Sequence, residues 1–288
     1  MNCQSLDNSL FDWNNAYSSR ISHFPIIWYS RVGPLDNQIR YSDVLKKKNG
    51  DLHGAAFAKD AKLSQEKAKS ELIERCAYIH FFENNGIKAG LELDNSSTGF
   101  AALPKRFGEE AVRVGAMSES IERWILNLIF YRQNIKLKRK THWGKKESYH
   151  ACVNFKNKKY YFCLVIKKYK NGFLSGASVS LNKRNSFESA SYELLNHWHK
   201  VKRWESLDEK LNTENLLELR AQNYYQNEIL AKKYLEKLSN CTKNTYKLPE
   251  VIFDKALRGS WDTDYFVHRI LLSDSEPIYE GGSNKMML

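Results

Sequence analysis

The sequence predicts an α+β fold in which long helices pack on a mostly antiparallel sheet, and two observations carry that prediction. Residues 64–83, opened by a capping serine and stopped by Asn84-Asn85-Gly86, and residues 109 to about 131 read as two long helices. Residues 160–166 are aromatic and β-branched and are expected to pair with 149–155 as antiparallel neighbours.

The remaining elements follow in chain order. Residues 24–29, Phe-Pro-Ile-Ile-Trp-Tyr, read as a strand after a loop, and Asn49-Gly50 as a turn. Ser64 is the expected N-cap of the first long helix, with Lys67 where a capping box would place Glu. Asn84-Asn85-Gly86 stops that helix, and 95–98 is a polar turn before Gly99-Phe100-Ala101-Ala102. A strand is expected over 172–181, and a third helix opening at Ser186 or Ser189 and running to about Trp204. Residues 207–238 read as helical, with a break near Asn212-Thr213, and 265–272 as a late strand. The expectation is one domain over 1–288, with 1–23 as a flexible N-terminal segment and 282–288 as a short tail.

At 42% hydrophobic residues the chain can bury a sizeable core, which excludes wholesale disorder. No apolar run approaches the roughly 18–20 residues of a membrane span. The first residues lack a basic segment followed by an apolar one, so no secretion signal is read there and a cytoplasmic protein is expected. The five cysteines are odd in number and none has CxxC spacing, which fits free thiols rather than disulfides or structural zinc. The formal charge of +12 is concentrated: from Arg123 to Phe187 there are sixteen Lys or Arg against one acid, Glu147. Such a block attracts polyanions, whether ATP, an acidic peptide or RNA, and a solvated basic face is the plain alternative.

The most informative feature is internal. Ala68, Glu71, Glu74 and Arg75 form the pattern AxxExxER, and Ala116, Glu119, Glu122 and Arg123 form it again 48 residues later. Ala190, Glu193 and Asn196 give a third, degenerate copy, AxxExxN. Positions three apart share one helical stripe, so each of the first two helices sets two carboxylates and an alanine on one side. Adjacent like charges repel, and a cation reverses that sign. Mg2+ is the natural one, being hard, oxygen-liganded and prone to bridge carboxylates to phosphate oxygens. The alanine is expected to leave room for a bulky ligand, and the arginine to contact a phosphate or brace a carboxylate. Leu72, Ile73, Ile121 and Ile125 lie off the glutamate stripe and are the expected core side. A single ExxER is commonplace on solvated helix faces; two copies with the same alanine are not.

These motifs resemble the YcaO superfamily, which carries AxxExxER-type helices in its ATP site and a segment like SNGxAAG before the second of them. This chain has Ser97-Thr98-Gly99-Phe100-Ala101-Ala102 there, and Ala190 to Asn196 where the family has AxxExxQ. Phe266 to Leu271 and Pro277 to Gly281 resemble its C-terminal strand and PxxFG-like ending. The resemblance implies a YcaO-like fold and an ATP- and Mg2+-dependent enzyme. Its implied role is to activate a backbone amide oxygen of a ribosomally made precursor peptide by O-phosphorylation, leading to cyclisation of Cys, Ser or Thr to azolines. Glu71, Glu74, Glu119 and Glu122 are the implied metal ligands. Those four, with Arg123, Glu193 and Asn196, are the implied nucleotide site, and Arg123 and Glu193 take the catalytic roles. The family's Gly-Asn after GxAA is Leu103-Pro104 here, and the proline-rich tail of cyclodehydratases is replaced by Gly281 to Leu288. A separate leader-binding or E1-like partner in an oligomeric complex is implied, since no such domain is fused.

Other patterns are weaker. His197 and His199, two apart on a helix, face different ways and make a poor metal site. Trp143-Gly144-Lys145-Lys146 is not a P-loop, because Arg139 stands where its first glycine belongs. Cys163 is an expected core residue. Lys136 to Lys140 with Trp143, and Lys158 to Tyr161, suit phosphate contacts and base stacking, so an RNA binder stays open beside thioamide formation and a non-catalytic docking subunit.

Overall fold

The computed structural model describes residues 28–32, 54–83, 86–94, 96–142, 146–206, 228–259 and 261–274. The expected segments 1–23 and 282–288, the Asn49-Gly50 turn, the PxxFG-like ending, Trp143 and the break near Asn212-Thr213 lie outside the described residues. Within them the fold is α+β. The strands are β1 (Trp28–Val32), β2 (Gly54–Ala58), β3 (Phe100–Pro104), β4 (Lys138–His142), β5 (Lys146–Phe155), β6 (Lys158–Tyr169), β7 (Gly172–Ser180), β8 (Val251–Leu257) and β9 (Tyr265–Leu272). The helices are α1 (Ala61–Glu83), α2 (Glu109–Asn127), α3 (Lys183–Ser206) and α4 (Glu228–Asn240).

The chain divides into two compact units: Met1–Met117 with Phe253–Leu271, and Ser118–Ile252 with Leu272–Leu288. In the first unit β1 pairs antiparallel with β2, Trp28 opposite Ala58. A second sheet runs β3-β9-β8, with Phe100 opposite Arg269. Helix α1 packs on β1, β2 and β3. Its buried face, Ile73, Ala77 and Phe81, meets Phe100, Ala102, Leu257, Trp261 and Val267. The second unit holds the four-stranded antiparallel sheet β4-β5-β6-β7, with α3 laid on β6 and β7. Cys163 and Val165 of β6, Leu174 of β7, and Ala190, Leu194 and Val201 of α3 form its core. Leu72, Ile73, Ile121, Ile125 and Cys163 are all buried, as their spacing predicts. The four cysteines among the described residues, Cys76, Cys152, Cys163 and Cys241, are free.

Two expected caps move by one turn. Asp60, not Ser64, caps α1: its Oδ1 accepts the Leu63 N–H at 2.7 Å. Asn182, not Ser186 or Ser189, caps α3 by accepting the Arg184 N–H at 2.8 Å. Ser64 and Ser186 are instead buried one turn in, each donating Oγ–H back to a carbonyl, of Ala61 at 3.1 Å and Lys183 at 2.9 Å. A serine already inside a helix can bond back to the turn before it, which makes it look like a cap in sequence. Helix α2 continues without a break to its expected end near 131. It widens into a π turn over Leu128–Arg132, and Gln133 closes it at φ 49°. No described helix is long and apolar enough to cross a membrane.

Arg269 of β9 is fully buried. Its guanidinium donates to the carbonyls of Ala89 (2.8 Å), Asp94 (2.8 Å), Ser96 (2.9 Å) and Thr98 (3.1 Å) and lies 4.7 Å over the Phe100 ring. A buried charge needs such a complete set of partners. It thereby shapes the loop that leads into Gly99 and β3.

Candidate functional site

The glutamates of α1 are held by strand amides. Glu71 Oε2 accepts the N–H of Ala55 in β2 at 2.6 Å, and its other oxygen meets Arg75. Glu74 Oε1 accepts the N–H of Ala102 in β3 at 2.9 Å. The helix can approach β2 this closely because Gly54 has no side chain: a Cβ there would overlap the Ala68 carbonyl oxygen and stand 2.7 Å from the Leu72 nitrogen.

The second unit repeats this arrangement residue for residue. A Cβ at Gly176 of β7 would overlap the Ala190 carbonyl oxygen and the Leu194 nitrogen of α3. Glu193 Oε2 accepts the N–H of Ala177 at 3.0 Å. Gly54 and Gly176, Ala55 and Ala177, Asp60 and Asn182, Ser64 and Ser186, Ala68 and Ala190, and Glu71 and Glu193 are all separated by 122 positions. The copy that matches the first AxxE structurally is thus the degenerate third one. The expectation that the alanine leaves room for a ligand is corrected for Ala68 and Ala190. Both are wholly buried, and the space beside them is filled by the backbone of the glycine strand.

Glu119, Glu122 and Arg123 lie on the part of α2 that belongs to the second unit. Arg123 Nη2 stands 4.0 Å from Glu119 Oε1, with the two side chains only 16% and 28% exposed. Glu122 also accepts a backbone hydrogen bond from Val179 of β7. Burial pushes its carboxyl up to about 8; Arg123 opposes this, while Glu193 and Glu119 add to it. Glu122 is thus flanked by Arg123 and by two further acids, Glu119 of its own helix and Glu193 of α3. Asn196, one turn beyond Glu193 on α3, is half-buried. Among the described residues, no three Asp, Glu, His or Cys side chains stand at common ligating distance of a metal as placed here.

The cluster brings Glu119, Glu122, Arg123 and Glu193 together within one unit, while Glu71 and Glu74 are placed in the other. His197 Nδ1 meets the Ser175 carbonyl at 2.6 Å. Sequence reasoning missed the amides of Ala55, Ala102 and Ala177 as carboxylate partners. The signal was available: a Gly-Ala pair precedes AxxE by the same interval in both copies. No family model, curated protein or solved structure matches the chain.

Proposed function

We propose that the chain is an ATP- and Mg2+-dependent enzyme of the YcaO type, acting on a backbone amide of a ribosomally made peptide. The observation that carries this reading is the carboxylate cluster of Glu119, Glu122 and Glu193 beside Arg123. Burial first, and then Glu193 and Glu119, hold Glu122 protonated near neutrality, a perturbation of the kind that functional sites concentrate. A hard divalent cation turns the same crowding into attraction, and the donor set is all oxygen, as Mg2+ requires. Side-chain rotation of Glu119 and Glu122 toward such an ion is the adjustment it demands, since Glu193 is tied to the Ala177 amide. Arg123 then supplies a fixed cation for a phosphate oxygen.

When bound, Mg-ATP supplies the phosphoryl group that activates an otherwise unreactive amide oxygen. The chain's own contribution is to hold the ion, to hold Arg123 at the cluster and to exclude water from half-buried carboxylates. The finer reading is azoline formation at Cys, Ser or Thr, carried out in a cytoplasmic complex with a separate leader-binding subunit. It rests on the motif resemblance.

Calorimetric titration of Mg-ATP into the wild type and into a Glu119→Gln/Glu122→Gln double variant tests it. Binding that requires Mg2+ and is lost in the folded variant supports the reading. A folded wild type that binds no Mg-ATP overturns it.

A further inference from the structure

The second unit holds a concave surface of about 610 Å3 whose lining includes none of the residues of the carboxylate cluster. That volume suits a small ligand. Lys140 of β4 and Lys183 and Arg184 at the start of α3 line it, and no Asp or Glu does among the described residues. Its floor is a stack of rings. His142 and His150 lie at 31° and 29° to Phe187, with centroids 5.1 and 6.4 Å away, and Tyr161 completes the wall.

The two histidines are locked in place. Both Nε2 atoms meet the Ser148 hydroxyl, at 2.6 Å from His142 and 2.7 Å from His150, and Ser148 is fully buried. The hydroxyl has a single proton, so at least one of the two imidazoles donates to that oxygen. His150 Nδ1 is buried and has no hydrogen-bond partner among the described residues. Burial first, then the nearby charges of Lys140 and Lys183 and the His142 ring, hold its pKa down to about 4.

Lys183 and Arg184 occupy the first turn of α3, where no acid stands. Cations are unfavourable there, because the helix dipole and its unpaired N–H groups already make that end positive. Among the described residues Arg184 is offset by an exposed pair with Glu188 at 2.7 Å. Three cations converge on a positive helix end beside flat rings, an arrangement that works against stability and in favour of an anion.

We propose that this groove binds a phosphate monoester carrying a flat ring, of mononucleotide size. The phosphate lies among Lys140, Lys183 and Arg184, and the ring lies along Tyr161 and Phe187. The site is separate from the carboxylate cluster and needs no metal.

The test uses the full chain with no divalent cation present, titrated with AMP, adenosine and inorganic phosphate. AMP is expected to bind at least tenfold more tightly than either fragment, and more weakly as salt is raised. The His150 ring, followed by NMR, should show a pKa raised by the bound dianion. Lys183→Ala/Arg184→Ala should weaken AMP at least tenfold, abolish the His150 response and leave thermal stability unchanged or slightly higher. Glu119→Gln/Glu122→Gln should bind AMP as the wild type does, which separates this site from the Mg-ATP reading. Absence of AMP binding, AMP no tighter than phosphate, or an unchanged affinity in the folded Lys183→Ala/Arg184→Ala variant would each overturn the proposal.

Discussion

Gly176 of β7 sits against the Ala190 carbonyl of α3 so closely that a single added methyl would overlap it. The neighbour is helix backbone, which cannot rotate away as a flexible side chain can. Gly176→Ala therefore has to push α3 off the sheet, at a cost on the order of 3 kcal/mol. Gly54→Ala meets the same obstacle against Ala68 in the first unit. Denaturant midpoints of both variants check this; a loss under about 0.5 kcal/mol would show that helix and strand separate freely.

The carboxylates of Glu71 and Glu193 accept the N–H groups of Ala55 and Ala177, both buried. An amide side chain retains an acceptor oxygen, whereas alanine has none. Glu193→Ala should thus leave a buried donor unsatisfied and lose about 1–3 kcal/mol, while Glu193→Gln should fold nearly as well as the wild type. Glu71→Ala and Glu71→Gln should divide in the same way. Equal stability of the Ala and Gln variants in urea denaturation would refute the anchoring role. The Gln variants also isolate charge: any metal binding they lose is lost without unfolding.

The legible part of this fold was what periodicity and residue type can encode. Strands β5, β6, β7 and β9 and the three long helices stand close to where the sequence puts them, and β6, β7, β9, α1 and α3 each give apolar side chains to one of two cores. Strand β4, exposed along most of its length and built from Lys138 to His142, carries no such signal. Its strand state comes from pairing with β5. The glutamates stood out as a repeat, whereas a backbone N–H leaves no mark of its own and shows only through the Gly-Ala pair that precedes Glu71 and Glu193. The repeat at 48 residues joins identical letters, whereas the structural repeat joins Glu71 to Glu193 through their shared Gly-Ala strand. The role of Arg269 was hidden for the same reason: its partners are four carbonyls brought together by the loop.

Asp254 accepts hydrogen bonds from Arg113 at 2.6 Å and from His268 at 2.7 Å. The Arg113 guanidinium, then His268, holds its carboxyl below the usual carboxylate range, with burial opposing. A native pKa below the unfolded one means the stabilisation is fully present above the unfolded value and is lost as pH falls through the native value. Wild-type stability should therefore decline below about pH 4, the ordinary aspartate range. Asp254→Asn should be less stable at pH 6 and show a shallower acid decline. Parallel acid profiles for the two proteins would sink the assignment.

Glu122 behaves in the opposite sense, because its native carboxyl is raised to about 8 by burial and by Glu193 and Glu119. In the absence of metal its contribution to stability is fully present below the unfolded glutamate value and is lost as pH rises through 8. A divalent cation must take the deprotonated form, so binding has to expel that proton. Mg2+ affinity should then rise by up to about tenfold per pH unit toward pH 8 and level off above it. Titrations in two buffers of different ionisation enthalpy should report close to one proton released per ion at pH 7. Glu122→Gln has no proton to lose there, so whatever affinity it keeps should be flat with pH. A wild-type affinity that is itself flat from pH 6 to 8 would place the ion away from Glu122 and take the carboxylate cluster out of the nucleotide site.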